Sequence, residues 1–340
     1  MLASGDSGGR VIVWTRTDAP AGPPDDPDLP PNKENWIRAK HFYHEHDVCA
    51  VAWAPDGVRL ASVARDNALL VHQMPLGKRL QTVRCLGEFP NGLAWDPSGK
   101  YIVTMSTDRK LNIIFVEKGT KLRTIQACEL PAMDVLGTPI EHKTYRLFHD
   151  DQMFSFKRQP AFSPCANLLV VPWKVLLVSV KLGQIGFGLG ILTDRPLPGT
   201  RPSSEDDPGG MQTAHLEVGA DNLYGTYVYF WSQTDKDKPA FFHPFRKAVF
   251  MIKMCPVLFA LSEGENYSGL PHRVLWVVLA DNAVVFYDSQ HSSPIGLIEN
   301  IHYNKLTEVA WSWDGSRIVI SSMEGFCSFV RIHLDRWGVK

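Results

Sequence analysis

The heptapeptide Val51-Ala-Trp-Ala-Pro-Asp-Gly57 recurs as Leu93-Ala-Trp-Asp-Pro-Ser-Gly99 and again as Val309-Ala-Trp-Ser-Trp-Asp-Gly315. The first two copies start 42 residues apart, and each glycine is followed by two short apolar runs separated by a turn. A period of about 40–45 residues with several short strands per unit is typical of WD40-type propeller blades. The pattern therefore predicts an all-β WD40 β-propeller rather than a non-repetitive β-sandwich, which requires no matched spacing.

Four polar residues are predicted to hold the blade turns. Asp66 and Asp108 fall between two apolar runs of their units, and Asp281 has the same place in a weaker copy. A tight hairpin favours such a residue because its side chain can accept hydrogen bonds from nearby backbone N–H groups. His46 precedes the first strand of its unit, and we assign it to the place where the repeat usually has Gly-His.

Weaker copies extend the repeat through the chain, which predicts a single propeller domain over residues 1–340 with about five and a half units. Two segments break the rhythm. Residues 18–35 are rich in Pro and Asp and are interpreted as a solvated loop between blades. Residues 173–215 are rich in Gly and Pro and are interpreted as an atypical insert or a sequence artefact such as retained non-coding sequence.

The composition indicates a folded, soluble protein, with 44% hydrophobic residues and a net charge of −1 from 35 basic and 36 acidic side chains. The balanced charge argues against nucleic-acid binding through a broad basic face. The six cysteines are scattered without a CxxC pair, so neither a disulfide framework nor a zinc site is predicted. No signal peptide or clean membrane-spanning helix is found, and we expect a nuclear or cytosolic protein.

Three motifs that resemble catalytic or ligand sites do not withstand inspection. Gly5-Asp-Ser-Gly-Gly9 matches the nucleophile motif of chymotrypsin-like proteases, but the His and Asp of that family precede the Ser. His41, His44 and His46 have no further ligand pair to close a metal site, so one structural histidine is the preferred interpretation. Gly186-Phe-Gly-Leu-Gly190 lacks the full dinucleotide fingerprint. We therefore predict no catalytic residue, no metal and no cofactor.

One non-repetitive stretch between units, Tyr145-Arg-Leu-Phe-His-Asp-Asp-Gln-Met-Phe-Ser-Phe-Lys-Arg158, interleaves aromatic side chains with an acidic pair and a basic pair. Aromatic residues beside charge are typical of interface hot spots. The alternative is that its phenylalanines only anchor the loop to the sheet edges. The predicted partner-binding residues are Tyr145, Phe148, His149, Asp150 and Asp151.

The chain resembles the family of B subunits of chromatin assembly factor 1, the WD-repeat middle subunits of a histone chaperone complex. The resemblance rests on the blades and on several matching pieces, of which the Asn-Lys-Glu-Asn-Trp and Phe-His-Asp-Asp segments are the more specific because no propeller needs them to fold. These pieces are Asn32-Lys-Glu-Asn-Trp36, Tyr145-Arg-Leu-Phe-His-Asp-Asp151, Cys255-Pro-Val257, Ile301-His-Tyr303, Trp311-Ser312 and Gly325-Phe-Cys-Ser-Phe329.

The resemblance implies a seven-bladed, non-enzymatic propeller in the nucleus. It would join a large and a small subunit of chromatin assembly factor 1 and deposit histones H3–H4 onto replicated or repaired DNA. It implies no sequence-specific DNA contact and no membrane. It also implies contact with the chaperone anti-silencing function 1, through a segment beyond Lys340.

The family begins with about one and a half blades that would precede Met1, so a truncated propeller with open sheet edges is expected. Two other functions stay open on the sequence alone. One is a Hir-type subunit that loads H3–H4 independently of replication, and the other is a generic WD40 interaction scaffold.

Overall fold

The computed structural model describes residues 1–20, 22–23, 28, 30–84, 86–133, 139–148, 155–176, 222–231, 239–245 and 247–333. Its regular structure consists of β-strands, and no helix long and apolar enough to cross a bilayer occurs in these ranges. The strands form successive antiparallel sheets, which confirms the predicted all-β propeller architecture.

Six of these sheets are blades, numbered here in chain order. Blade 1 comprises β1 (Leu2–Gly5), β2 (Arg10–Thr17) and β3 (Asn35–Tyr43). Blade 2 comprises β4 (Val48–Trp53), β5 (Arg59–Ala64), β6 (Leu69–Gln73) and β7 (Lys78–Val83). Blade 3 comprises β8 (Pro90–Trp95), β9 (Tyr101–Ser106), β10 (Lys110–Phe115) and β11 (Thr120–Ile125). A separate hairpin of β12 (Ala127–Met133) and β13 (Pro139–Arg146) follows.

Blade 4 comprises β14 (Ala161–Phe162), β15 (Leu168–Leu176), β16 (Asn222–Phe230) and β17 (Phe241–Phe245). Blade 5 comprises β18 (Val249–Phe259), β19 (Arg273–Ala280), β20 (Ala283–Asp288) and β21 (Gly296–Glu299). Blade 6 comprises β22 (Leu306–Trp311), β23 (Arg317–Ser322) and β24 (Cys327–Arg331). Within the described ranges, four blades have four strands and two have three, which agrees with the predicted five and a half units.

The repeated tryptophans are structurally equivalent. Trp53, Trp95 and Trp311 each end the first strand of a blade. Each is paired in register with the second residue of the next strand, which is Leu60, Ile102 or Ile318. The glycine that ends each heptapeptide turns the chain at a φ of 67°, 72° or 70°, a range that L side chains rarely adopt.

The hydrophobic core is divided into layers between neighbouring blades, because alternate side chains of each strand point to opposite faces. Val11 and Val13 of blade 1 pack against Leu60 and Met74 of blade 2. The other layers have the same construction. Burial of each such aliphatic side chain contributes about 1.5–3 kcal/mol, so each blade depends on its neighbours for stability.

The hairpin β12–β13 is an insertion and not a blade. Blades 3 and 4 meet directly, since Val103 of β9 and Val171 of β15 share one core. In the segment that leads into β14, the backbone N–H of Arg158 donates to the Asn91 carbonyl at 2.9 Å. The approach is so close that a Cβ on Gly92 would lie 1.8 Å from the Arg158 carbonyl oxygen. A residue with any side chain at position 92 would therefore push the two blades apart.

The first residues of the predicted insert belong to strand β15 of blade 4. β15 and β16 pair over their full length, from Leu168 opposite Phe230 to Leu176 opposite Asn222. Trp173, the predicted start of the insert, is a buried strand residue whose ring stacks on Tyr227 at 4.9 Å. The predicted start was wrong because an apolar strand continues directly into the apolar inserted sequence. The residues between the two strands, 177–221, lie outside the described ranges.

Candidate partner-binding surface

The turns that follow the second strands and the connections that enter the first strands lie at the same end of the blades. The antiparallel registers require this, because the start of each first strand pairs with the end of the second, as in Val48 opposite Ala64 and Pro90 opposite Ser106. We call this end the upper face. The upper face contains Asp66 and the other predicted turn residues. It also contains the connection that includes Phe148.

The upper face of blade 2 is held by a buried hydrogen-bond network. Asp66 accepts from His44 Nδ1 at 3.0 Å and from the backbone N–H of Glu45 at 3.1 Å, while Ser62 Oγ lies 2.8 Å from His44 Nε2. The structural histidine is therefore His44, and the assignment of this role to His46 was wrong. His46 is exposed, because only the earlier residue projects between the strands toward Asp66.

Burial lowers the pKa of His44 despite the neighbouring Asp66 carboxylate. Burial also acts to raise the pKa of Asp66, but the backbone N–H of Glu45 and the His44 ring outweigh this effect and hold it below its ordinary value. At neutral pH, a neutral histidine thus donates to an ionised aspartate.

The order of atoms Ser62–His44–Asp66 is that of a serine-hydrolase triad, yet its chemistry is blocked. Ser62 is 1% exposed and the His44 side chain is fully covered, so no acyl substrate can reach the hydroxyl. Because both ring nitrogens of His44 are occupied, this histidine cannot serve as a metal ligand with His41 and His46. Among the described residues, no group of three or more His, Cys, Asp or Glu side chains could hold a metal ion.

The connection after the hairpin is anchored on blade 3. Phe148 is 1% exposed and packs with Leu147 in the core between blades 3 and 4. Its carbonyl accepts from Arg109 Nε at 2.8 Å, and Asp108 beside that arginine pairs with Lys110 at 2.6 Å. The Phe148 ring is therefore an anchor, and its predicted place on a contact surface was wrong, because the hydrophobic gain of burying the ring outweighs its exposure.

The other predicted contact residues lie on either side of Phe148 in the sequence. Tyr145 lies in β13, where its backbone pairs with Cys128. His149, Asp150 and Asp151 lie outside the described residues. In the sequence they directly follow Phe148.

Where the chain is described again, an exposed aromatic residue projects from the upper face. Phe156 is 44% exposed, and its ring stacks on Phe89 with centroids 5.9 Å apart. The guanidinium carbon of Arg65 lies 5.2 Å from the centroid of the Phe89 ring. We call Arg65, Phe89 and Phe156 the upper patch. Arg65 and Phe89 were not predicted, because they are distant in sequence from Phe156 and meet it only through the arrangement of the blades.

A charged cluster adjoins the upper patch near the propeller axis. Glu308 of blade 6 accepts from Lys157 at 2.8 Å and pairs with Lys253 of blade 5 at 3.2 Å. Burial acts to raise the pKa of Glu308, but the charges of Lys253 and Lys157 outweigh it and lower the pKa. The cluster ties the connection into blade 4 to blades 5 and 6.

The turn of blade 5 completes the upper face. Asp281 lies between β19 and β20, and its carbonyl accepts from the Leu306 N–H at 2.9 Å. Its carboxylate is 3.6 Å from the Lys305 ammonium group. Asp66, Asp108 and Asp281 thus all lie in turns between second and third strands.

A family model of the CAF1B/HIR1 β-propeller domain matches residues 1–181 and 208–336. The chain is similar to the B subunit of chromatin assembly factor 1 of Gallus gallus, with 30% identity over 356 residues that cover 100% of the chain and 55% of that protein. The Mus musculus protein of the same name is 28% identical over 356 residues, covering 100% of the chain and 54% of that protein. Protein HIR1 of Yarrowia lipolytica is 20% identical over 343 residues, covering 99% of the chain and 29% of that protein. The chain thus spans about half the length of its chromatin assembly factor relatives.

Proposed function

The chain belongs to the CAF1B/HIR1 β-propeller domain family, and on this premise we propose that it is a WD-repeat subunit of a nuclear histone chaperone complex. The complex would deposit histones H3–H4 onto DNA during replication- and repair-coupled nucleosome assembly. The single observation that carries this proposal is the similarity to the B subunit of chromatin assembly factor 1 at 30% identity across the whole chain. The lower identity of 20% to protein HIR1 makes the replication-independent role the second candidate.

The proposed role is docking without catalysis. A chaperone shields basic histone surface until DNA competes for it, and this needs acidic and aromatic contacts rather than a nucleophile or a cofactor. The partners would be the large and small subunits of chromatin assembly factor 1 together with H3–H4.

We propose that the docking site comprises the upper patch together with Tyr145, His149, Asp150 and Asp151. The support is the exposed Phe156 ring, together with the Phe148 anchor that fixes the start of the acidic segment. Each charge-assisted hydrogen bond from Asp150 or Asp151 to an arginine or lysine of the partner would contribute about 1.5–3 kcal/mol.

The test is the double substitution Asp150→Ala/Asp151→Ala in the full chain. We expect capture of the large subunit with H3–H4 to fall at least about tenfold, since about 1.4 kcal/mol corresponds to a factor of ten. The thermal midpoint should stay unchanged. The matched control is Asp25→Ala/Asp26→Ala, which removes the same charge from the loop between β2 and β3 and should bind normally.

Two outcomes would contradict the site. Normal capture by the Asp150→Ala/Asp151→Ala variant would remove the acidic pair from the interface, and a lowered thermal midpoint would show that the pair is a structural turn. Co-purification of the chain with Hir-complex subunits instead of the large replication-coupled subunit would favour the second candidate function. Failure to capture H3–H4 in any complex would favour a generic scaffold.

A further inference from the structure

The outermost strands of blades 1, 2 and 3 are unusually basic. β3, β7 and β11 together contain six Lys or Arg residues and not one Asp or Glu. On the other side of the molecule, β17, β21 and β24 contain one arginine and one glutamate. The overall charge of −1 therefore conceals a strong asymmetry around the rim.

Five of the rim cations are exposed and form no ion pair with another described residue. We call them the outer belt, and they are Arg38, Lys40, Lys78, Arg79 and Lys118. Some other surface cations of the same blades are paired, as Arg84 is with Glu45 at 3.2 Å. The belt therefore carries uncompensated positive charge.

The belt is continuous across the three blades. The turn at Gly77, directly before Lys78, packs on blade 1, where Lys40 Cδ is 3.6 Å from an ideal Cβ position on Gly77. Gln81 of blade 2 donates to the Glu117 carbonyl at 2.9 Å, directly before Lys118 of blade 3. Each outer strand thus brings its cations next to those of the following blade.

We propose that the outer belt binds the phosphate backbone of duplex DNA without reading its sequence. Four of these cations lie on β3 and β7, and Lys118, next to the exposed Glu117, lies in the turn before β11. Five exposed cations with a single neighbouring carboxylate fit a polymer whose charges are regular and of one sign. The exposed hydroxyl groups of Thr82 and Thr120 add neutral donors that suit phosphate oxygens. This contact goes beyond the proposed histone role and does not depend on it.

Two alternative roles for the basic rim lead to different expectations. Basic residues on outer strands also prevent edge-to-edge aggregation, which needs no ligand. An acidic protein segment would also be attracted, but a defined peptide site normally includes an apolar pocket beside its charges. Binding measurements on charge variants of the belt separate these roles from DNA binding.

The experiment measures binding of the full chain to a fluorescent 30-base-pair duplex of random sequence by anisotropy at several salt concentrations. We expect a logarithmic salt slope of about −3 to −5, as for the release of counterions from a few phosphates. Lys78→Glu/Arg79→Glu should weaken binding about tenfold or more at moderate salt and reduce the slope by about 2. The control Arg317→Glu/Arg331→Glu, with the same charge change on blade 6, should bind within about twofold of the parent.

A second double variant keeps the test valid if the first one is destabilised. If Lys78→Glu/Arg79→Glu melts at a lower temperature, Lys40→Gln/Lys118→Gln replaces it, since this pair removes charge from two other blades without introducing a new one. Unchanged DNA affinity in a folded variant would overturn the proposal, whether or not light scattering shows aggregation. Tighter binding to a polyglutamate peptide or to duplex RNA than to duplex DNA would overturn it as well.

Discussion

At the scale of single residues, Ala166 occupies a turn position where three other blades carry glycine. Its φ is 58°, and its N–H donates to the Ser163 carbonyl at 2.9 Å, as Gly57 does to Ala54 at the same distance. The left-handed conformation costs an alanine about 1–2 kcal/mol. Blade 4 therefore contains a strained turn that blades 2, 3 and 6 avoid.

We predict that Ala166→Gly raises the free energy of unfolding by about 0.5–1 kcal/mol, because relief of strain exceeds the entropy gained by the unfolded chain. The matched change is Gly57→Ala, which should lower it by about 1 kcal/mol. No atom lies within 4 Å of a Cβ built on Gly57, so only the backbone conformation is tested. Urea unfolding measures both, and equal or reversed signs would contradict the account.

The residue scale also shows where prediction from sequence failed. The repeat correctly predicted that a histidine precedes β4 and that an aspartate follows β5. It could not distinguish His44 from His46, because both lie in the connection between β3 and β4, only two residues apart. The choice depends on the positions of Asp66 and Ser62, which come together only in the folded blade.

At the scale of elements, β17 brings His243 into the layer between blades 4 and 5. The ring is 1% exposed and lies 4.5 Å from the Tyr287 ring and 5.7 Å from the Trp276 ring. Burial lowers the pKa of His243 from 6.5 to about 3. Burial also raises the pKa of Tyr287 above its ordinary value, so that this neighbour stays neutral.

We predict that the buried His243 lowers the free energy of unfolding in mild acid. Below a pH of about 6.5 the unfolded chain binds a proton that the folded chain refuses, so stability falls as the pH is lowered toward 3. From this group alone the free energy of unfolding should decrease by about 2 kcal/mol between pH 7 and pH 5. His243→Phe should remove that part of the decrease in urea titrations, and an identical pH dependence in both proteins would contradict it.

Most strands could be predicted because apolar runs and turn residues mark both ends. The heptapeptide locates the first strand, and its glycine starts the second, as in β9 from Tyr101 to Ser106. The end of β15 could not be located, because Val175 and Leu176 continue the apolar run into the inserted sequence. The sequence is compatible with both an anchored and an exposed Phe148, because the burial of this ring depends on the space between blades 3 and 4.

At the scale of the whole molecule, the repeat sets the number of blades but not what each face presents. The upper patch joins residues of blade 2, blade 3 and the connection into blade 4, which no local pattern brings together. The net charge of the chain did not predict the outer belt, because the positive charges of the belt are balanced by acidic groups elsewhere in the sequence. The arrangement of blades therefore determines both proposed surfaces.

Hydrogen–deuterium exchange of the chain, alone and bound to the large subunit with H3–H4, tests most directly whether the upper face is the docking platform. We predict slower exchange from Phe148 to Lys157 in the complex, with no change at the turn from Asp56 to Arg59 at the opposite end of blade 2. Slower exchange at the Asp56–Arg59 turn, with none between Phe148 and Lys157, would contradict the account.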